Sequence, residues 1–148
     1  MSEKTTAEQM LDLVAEYKNL QEAIDTSTSS NPMVYPELLR IRKQLSILGL
    51  EYAVVVGEWA MDFKESEAQR KYQYYIKKRE CISSGLKIGA AETEAEVTTG
   101  ELRESVGTNE GLYTSGRLIL NQVNEVLKSL NQDISIIKKE YESINQIQ

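Results

Sequence analysis

The sequence predicts an all-α protein, an elongated helical hairpin or coiled-coil bundle of three to four helices, and three observations carry that prediction. Apolar residues recur at alternating spacings of three and four over long stretches, which puts them on one face of a helix. Only two prolines occur, Pro32 and Pro36, both in one short segment, so nothing forbids helix on either side. No stretch alternates apolar and polar residues with the period of two that marks a half-buried strand. At least roughly 70% of the residues are expected to be helical.

Residues 1–148 read as a single helical domain, since this is an ordinary length for one core. The first helix is expected at about 6–25, from Met10, Leu13, Tyr17, Leu20 and Ile24. Hydroxyl residues and Pro32 then compete with helical hydrogen bonding, which predicts a loop at 26–35. A long helix follows at about 36–82, carried by Leu38, Ile41, Leu45, Leu48, Tyr52, Val55 and Trp59. Asp62 and Ser66 occupy the next positions of that stripe, and the apolar set restarts as Ala68, Tyr72, Tyr75 and Ile76. Gly85 and Gly89 predict a turn at 83–89. Ala91, Ala95, Leu102 and Val106 predict a helix at about 90–106, and Gly107-Thr-Asn-Glu-Gly111 reads as a turn or a helix start, capped by Thr108 or Asn109, before the last helix at about 109–146.

The last helix holds the most regular pattern: Gly116, Leu120, Val123, Leu127, Leu130, Ile134, Ile137, Tyr141 and Ile144. Four such heptads span roughly 40 Å, so this helix must lie along another long helix. Its expected partner is the 36–82 helix, antiparallel, with the first helix as a third strand; pairing between subunits is the alternative. Leu120, Val123, Leu127, Leu130, Ile134, Ile137 and Tyr141 are thus the expected core or oligomer stripe, and a homo-oligomer is expected because a stripe this long on a small chain leaves apolar area over.

The composition excludes several function classes. There is no histidine, so a serine, threonine or cysteine nucleophile has no imidazole base and no zinc-type ligand set forms; enzymatic activity is not expected, and no cofactor or metal site is implied. Glu92 and Glu96 lie one turn apart, as a hard-cation pair would, but in a Glu-rich run such spacing reads as a solvated face. Gly85-Leu-Lys-Ile-Gly89 lacks the Gly-Lys-Ser/Thr ending of a phosphate loop and reads as a turn. The single Cys81 forms no internal disulfide and reads as a small filler, while Trp59 reads as a core or interface anchor. The longest uncharged apolar run, Ala53 to Val56, is far too short to cross a bilayer, and the N-terminus lacks a signal-peptide core, so a cytoplasmic protein without membrane partners is expected.

The net charge is −6, but unevenly placed. Residues 1–60 carry five basic and nine acidic side chains, 61–89 seven and four, and 90–148 five and ten, giving −4, +3 and −5. Within the basic island, Gln69-Arg-Lys-Tyr-Gln-Tyr-Tyr-Ile-Lys-Lys-Arg79 interleaves cations with aromatic rings, the combination that binds single strands through phosphate contacts and stacking. At 100° per residue Lys64, Arg70, Lys71, Lys77 and Lys78 fall within a sector of roughly 140° with Tyr74 near its middle, while Ala68, Tyr72, Tyr75 and Ile76 face elsewhere. Arg70, Lys71, Tyr74, Lys77 and Lys78 are therefore the expected nucleic-acid-binding residues. The same side chains also suit an ordinary surface, their stems covering apolar neighbours and their charges offsetting acidic helices alongside.

The order of parts resembles small helical proteins of tailed phages, in particular recombination mediators of the UvsY type. The features are Met33-Val-Tyr35 before a long helix, the basic Tyr74-Tyr75 segment, a turn at Gly85, an acidic connection and a final long amphipathic helix, about two thirds of the chain. The resemblance implies an oligomeric accessory factor for single-stranded DNA recombination, acting in the host cytoplasm. A coiled-coil adaptor, a structural protein or an inhibitor that captures a host protein is the alternative.

Overall fold

A computed structural model describes residues 2–26 and 34–147. Helices hold 93% of the described residues, and no strand occurs among them. The order is α1 (Thr6–Thr26), α2 (Val34–Ser83), α3 (Ile88–Thr98) and α4 (Gly100–Ile147). The rest of the loop expected at 26–35 lies outside the described residues.

Three of the helix boundaries have a local cause on the chain. At the start of α1, Glu8 N–H donates to Thr5 Oγ1 at 3.2 Å and Thr5 N–H donates to Glu8 Oε2 at 2.8 Å, a reciprocal capping box. At the end of α2, Gly85 takes a φ of +97°, which is why a glycine stands there. Leu86 N–H then reaches the carbonyl of Cys81 and Gly85 N–H that of Ile82, both at 3.1 Å, the paired bonds of a Schellman turn. Between α3 and α4 the interruption is one residue. Thr99 leaves helical geometry, yet its N–H and its hydroxyl both donate to the carbonyl of Ala95, and Arg103 N–H donates to its carbonyl.

Two expected boundaries are corrected. The helix expected at 90–106 breaks at Thr99, and α4 runs without a turn through Gly107 and Gly111. Each glycine costs a helix about 1 kcal/mol. That loss is offset because Leu102, Val106, Asn109 and Tyr113 lie half-buried, with Gly116 buried, at three-four spacing along the same helix.

Packing divides the chain into two compact units: Met1–Val54 with Leu118–Gln148, and Val55–Arg117. In the first unit α1 and parts of α2 and α4 enclose a large aliphatic core in which Met10, Leu38, Ile41, Leu45 and Leu130 are fully buried. The α2–α4 pairing here is antiparallel, as expected: the Tyr35 ring meets Tyr141 at a tilted angle, Arg42 donates to Asn131, and a Cβ on Gly49 would lie 3.6 Å from Val123. Of the expected stripe, Val123, Leu130 and Ile134 are buried, Leu120, Leu127 and Ile137 half-buried, and Tyr141 exposed. Polar contacts pin α1 in place. Buried Tyr17 donates its hydroxyl to Asp133 at 2.5 Å and accepts from Gln21 at 2.6 Å, while Arg40 bridges Glu16 and Glu37.

The second unit has a thinner core. Its buried residues are small: Val56, Cys81, Ala91, Ala95, Thr99 and Gly116. A Cβ on Gly116 would stand 2.8 Å from both Val56 and Trp59, so only glycine allows this approach of α4 to α2. Phe63 and Tyr113 stack at 6.3 Å one turn further on, which fixes an antiparallel register.

Candidate binding face on the second unit

Residues 55–83 of α2 carry the basic island, and their burial pattern shows which side faces the other helices. Val56 is buried; Trp59, Phe63, Ser66, Arg70, Tyr74 and Lys77 are half-buried; Cys81 is buried again. These positions continue the stripe of the preceding heptads at spacings of three and four. The expected change of phase is therefore corrected twice. The stripe steps from Tyr52 to Val56 rather than to Val55, and from Trp59 to Phe63 rather than stopping at Asp62.

This phase turns the expected binding face inward. Arg70, Tyr74, Lys77 and Lys78 are half-buried, and of the five expected nucleic-acid-binding residues only Lys71 is exposed. Lys78 Nζ lies 2.7 Å from Glu92 Oε1 of α3, and that hydrogen bond holds its ammonium pKa above the ordinary value. Lys71 pairs with Glu67 one turn back at 3.2 Å. Arg70 and Lys77 have no ion-pair partner among the described residues. Long aliphatic stems let such side chains occupy a packing face while their charged heads reach its edge.

Of the four residues expected to face away from these cations, Tyr72 and Tyr75 are 64% and 66% exposed, Ala68 is exposed with them, and Ile76 is half-buried. On a helical wheel Met61, Lys64, Ala68, Lys71, Tyr72, Tyr75, Arg79 and Ile82 share a sector of about 100° on the side away from Val56, Phe63 and Cys81. Every one of them is exposed. No Asp or Glu falls in that sector between residues 57 and 83, although the whole chain is acidic. The Tyr75 ring meets Tyr74 edge-on at 5.6 Å.

Other candidate chemistry is dispersed. Of the three glutamates of α3, Glu92 is taken by Lys78 and Glu96 by Arg103. No three Cys, Asp or Glu side chains converge in a metal-holding group among the described residues. The concave patch at Ile76, Arg79, Glu80, Ser83 and Ser84 is shallow and open, unlike the enclosed apolar pocket of a small-molecule site. No described helix is long and apolar enough to cross a membrane. Comparison with family models, with curated proteins and with solved structures finds no match for this chain.

Proposed function

We propose that this chain is a non-enzymatic binding protein that holds an anionic macromolecule on the outer face of α2 in its second unit. The observation that carries the reading is the acid-free sector itself: Lys64, Lys71 and Arg79 around exposed Tyr72 and Tyr75 on a chain of net charge −6. A local positive strip on an acidic protein steers a negative partner to one place and repels it elsewhere. Catalysis has little to build on, because the chain has no histidine and two of the three glutamates of α3 are engaged in ion pairs.

Single-stranded nucleic acid is one such partner, and the exposed tyrosine rings favour it, since bases stack on aromatic side chains between phosphate contacts. In this form the nucleic-acid reading moves from Arg70, Tyr74, Lys77 and Lys78 to Lys64, Lys71, Tyr72, Tyr75 and Arg79. Recombination accessory function and assembly into a homo-oligomer belong to the same proposal, because several copies of a weak strip raise effective concentration.

The test is a salt titration of the full chain against a single-stranded oligonucleotide and against a Glu-rich helical peptide. Affinity for at least one should fall steeply with salt. Charge reversal at Lys64, Lys71 and Arg79 should remove that binding, while reversal at Arg70 and Lys77 should reduce it less. Wild-type protein that shows no salt-sensitive binding to either probe at low ionic strength overturns the proposal.

A further inference from the structure

We infer that α2 carries another docking face, from Ile47 to Met61, and that its occupant is a cationic amphipathic helix of another protein. The inference does not use the strip of Lys64, Lys71, Tyr72, Tyr75 and Arg79. Its basis is spacing along one unbroken helix. Ile47, Leu50, Val54, Gly57 and Met61 alternate at three and four, so an apolar residue or glycine holds both seam positions of two successive heptads. All five are exposed, the four side chains at 48%, 72%, 65% and 70%. They form a stripe separate from the buried one of Leu45, Tyr52 and Val56, and it runs for roughly 21 Å. Lys43 and Lys64 hold the next seam positions and close it at either end.

The edges of the seam set the sign of the partner. Glu51, Glu58 and Glu65 stand one heptad apart along one edge, at the positions where charges facing a second helix decide which partner is accepted. All three are exposed, and none forms an ion pair among the described residues. Ser46, Ala53 and Ala60 line the other edge, short and uncharged, so a facing helix approaches closely there. A helix with Lys or Arg on its flank is therefore matched once per heptad, whereas the acidic edge repels nucleic acid. A second copy of the same face fits poorly in either direction. Antiparallel pairing sets Glu51 of one copy against Glu58 of the other, and parallel pairing sets Lys43 against Lys43 and Lys64 against Lys64.

The experiment uses the full chain and a synthetic peptide of about three heptads with Leu at both seam positions and Lys at the flanking ones, beside a scrambled peptide of the same composition. Binding is read by anisotropy and by the helical circular dichroism the peptide gains. The expected result is a complex with the patterned peptide alone, its affinity falling at least about tenfold between low and high salt. Leu50→Asp, at an exposed position that leaves the protein's own helical spectrum unchanged, should abolish it. Glu51→Lys with Glu58→Lys should weaken it about tenfold, and a peptide with Glu in place of Lys should bind that variant in its stead. Lys71→Glu with Arg79→Glu should leave peptide affinity unchanged, which separates this face from the strip of the proposed function. Equal binding of the scrambled peptide, or wild-type affinity in Leu50→Asp or in the charge-swapped variant, overturns the inference. If the patterned peptide does not bind and Leu50→Asp turns a dimer into a monomer, the occupant is a second copy and the inference is likewise overturned.

Discussion

The two units are built on different principles although α2 and α4 contribute to both. The first fills its centre with large aliphatic side chains and ties its three helices together with polar contacts between α1 and each of the others, Arg40 to Glu16 and Tyr17 to Asp133. The second brings helices close by removing side chains, with Gly116, Ala91, Ala95 and Thr99 at its buried positions. Burying large apolar groups yields stability in proportion to area, whereas small-residue packing yields close approach with little area. The unit with the smaller core is also the one that presents the exposed strip of Lys64, Lys71, Tyr72, Tyr75 and Arg79.

Substitutions that reverse each principle test this contrast. The largest effect is expected for Leu130→Asp, which places a charge at a fully buried site of the first unit and should cost about 4 kcal/mol or more, enough to abolish cooperative urea unfolding. Leu45→Ala in the same core should cost about 3 kcal/mol by the loss of its buried volume. In the second unit the opposite change is the damaging one. Gly116→Val drives methyl groups into Trp59 and Val56 and should cost about 1–3 kcal/mol, with a shift of tryptophan fluorescence in the folded state. An unaltered fluorescence spectrum with unchanged stability would break the comparison.

Smaller effects sharpen it. Tyr17→Phe removes the hydroxyl that Asp133 accepts from and should cost about 1–2 kcal/mol. Burial, followed by the hydrogen bond to Asp133, holds the Tyr17 phenol well above its ordinary pKa. The folded state therefore keeps the proton longer than the unfolded chain. Its contribution is complete below about pH 10 and is lost as pH rises further, a loss that the phenylalanine variant should show less. The smallest change is a gain. Gly107 and Gly111 have open space around a built Cβ, so Gly107→Ala and Gly111→Ala should each stabilise α4 by about 0.5–1 kcal/mol, read from the urea midpoint.

Much of the fold was legible because aliphatic spacing and helix geometry agree. Leu38, Ile41, Leu45, Leu130 and Ile134 announce their burial by period alone. The Schellman turn was legible from Gly85, the one glycine with positive φ. Gly107 and Gly111 misled for the converse reason: they look like helix breakers, but packing on either side of them decides the matter. The candidate binding face was half legible. Its basic and aromatic composition is plain in the sequence, but its direction depends on whether Trp59 is followed by Asp62 or by Phe63 in the stripe. Once Phe63 takes the packing position opposite Tyr113, Arg70 and Tyr74 follow it inward and Tyr72 and Tyr75 turn out. Nothing local to the basic segment reveals that, because polar residues at 66, 70 and 77 disguise the continuation of the core phase.

The second unit is one unbroken stretch of chain, Val55–Arg117, whereas the first is assembled from two stretches that flank it. That difference predicts an order of folding. Contacts such as Lys78 with Glu92 close short loops and form early, while Tyr17 with Asp133 joins residues 116 positions apart. Closing the longer loop in an unfolded chain carries the larger entropy cost, which grows with the logarithm of its length. Once Val56 and Trp59 have met Gly116, the two ends of the intervening stretch are already neighbours, and most of that closure has been accomplished. The glycine that permits close approach in the native state thus doubles as a kinetic clasp: its substitution should slow the appearance of protection in α1, a segment it does not belong to, in pulse-labelled hydrogen exchange during refolding.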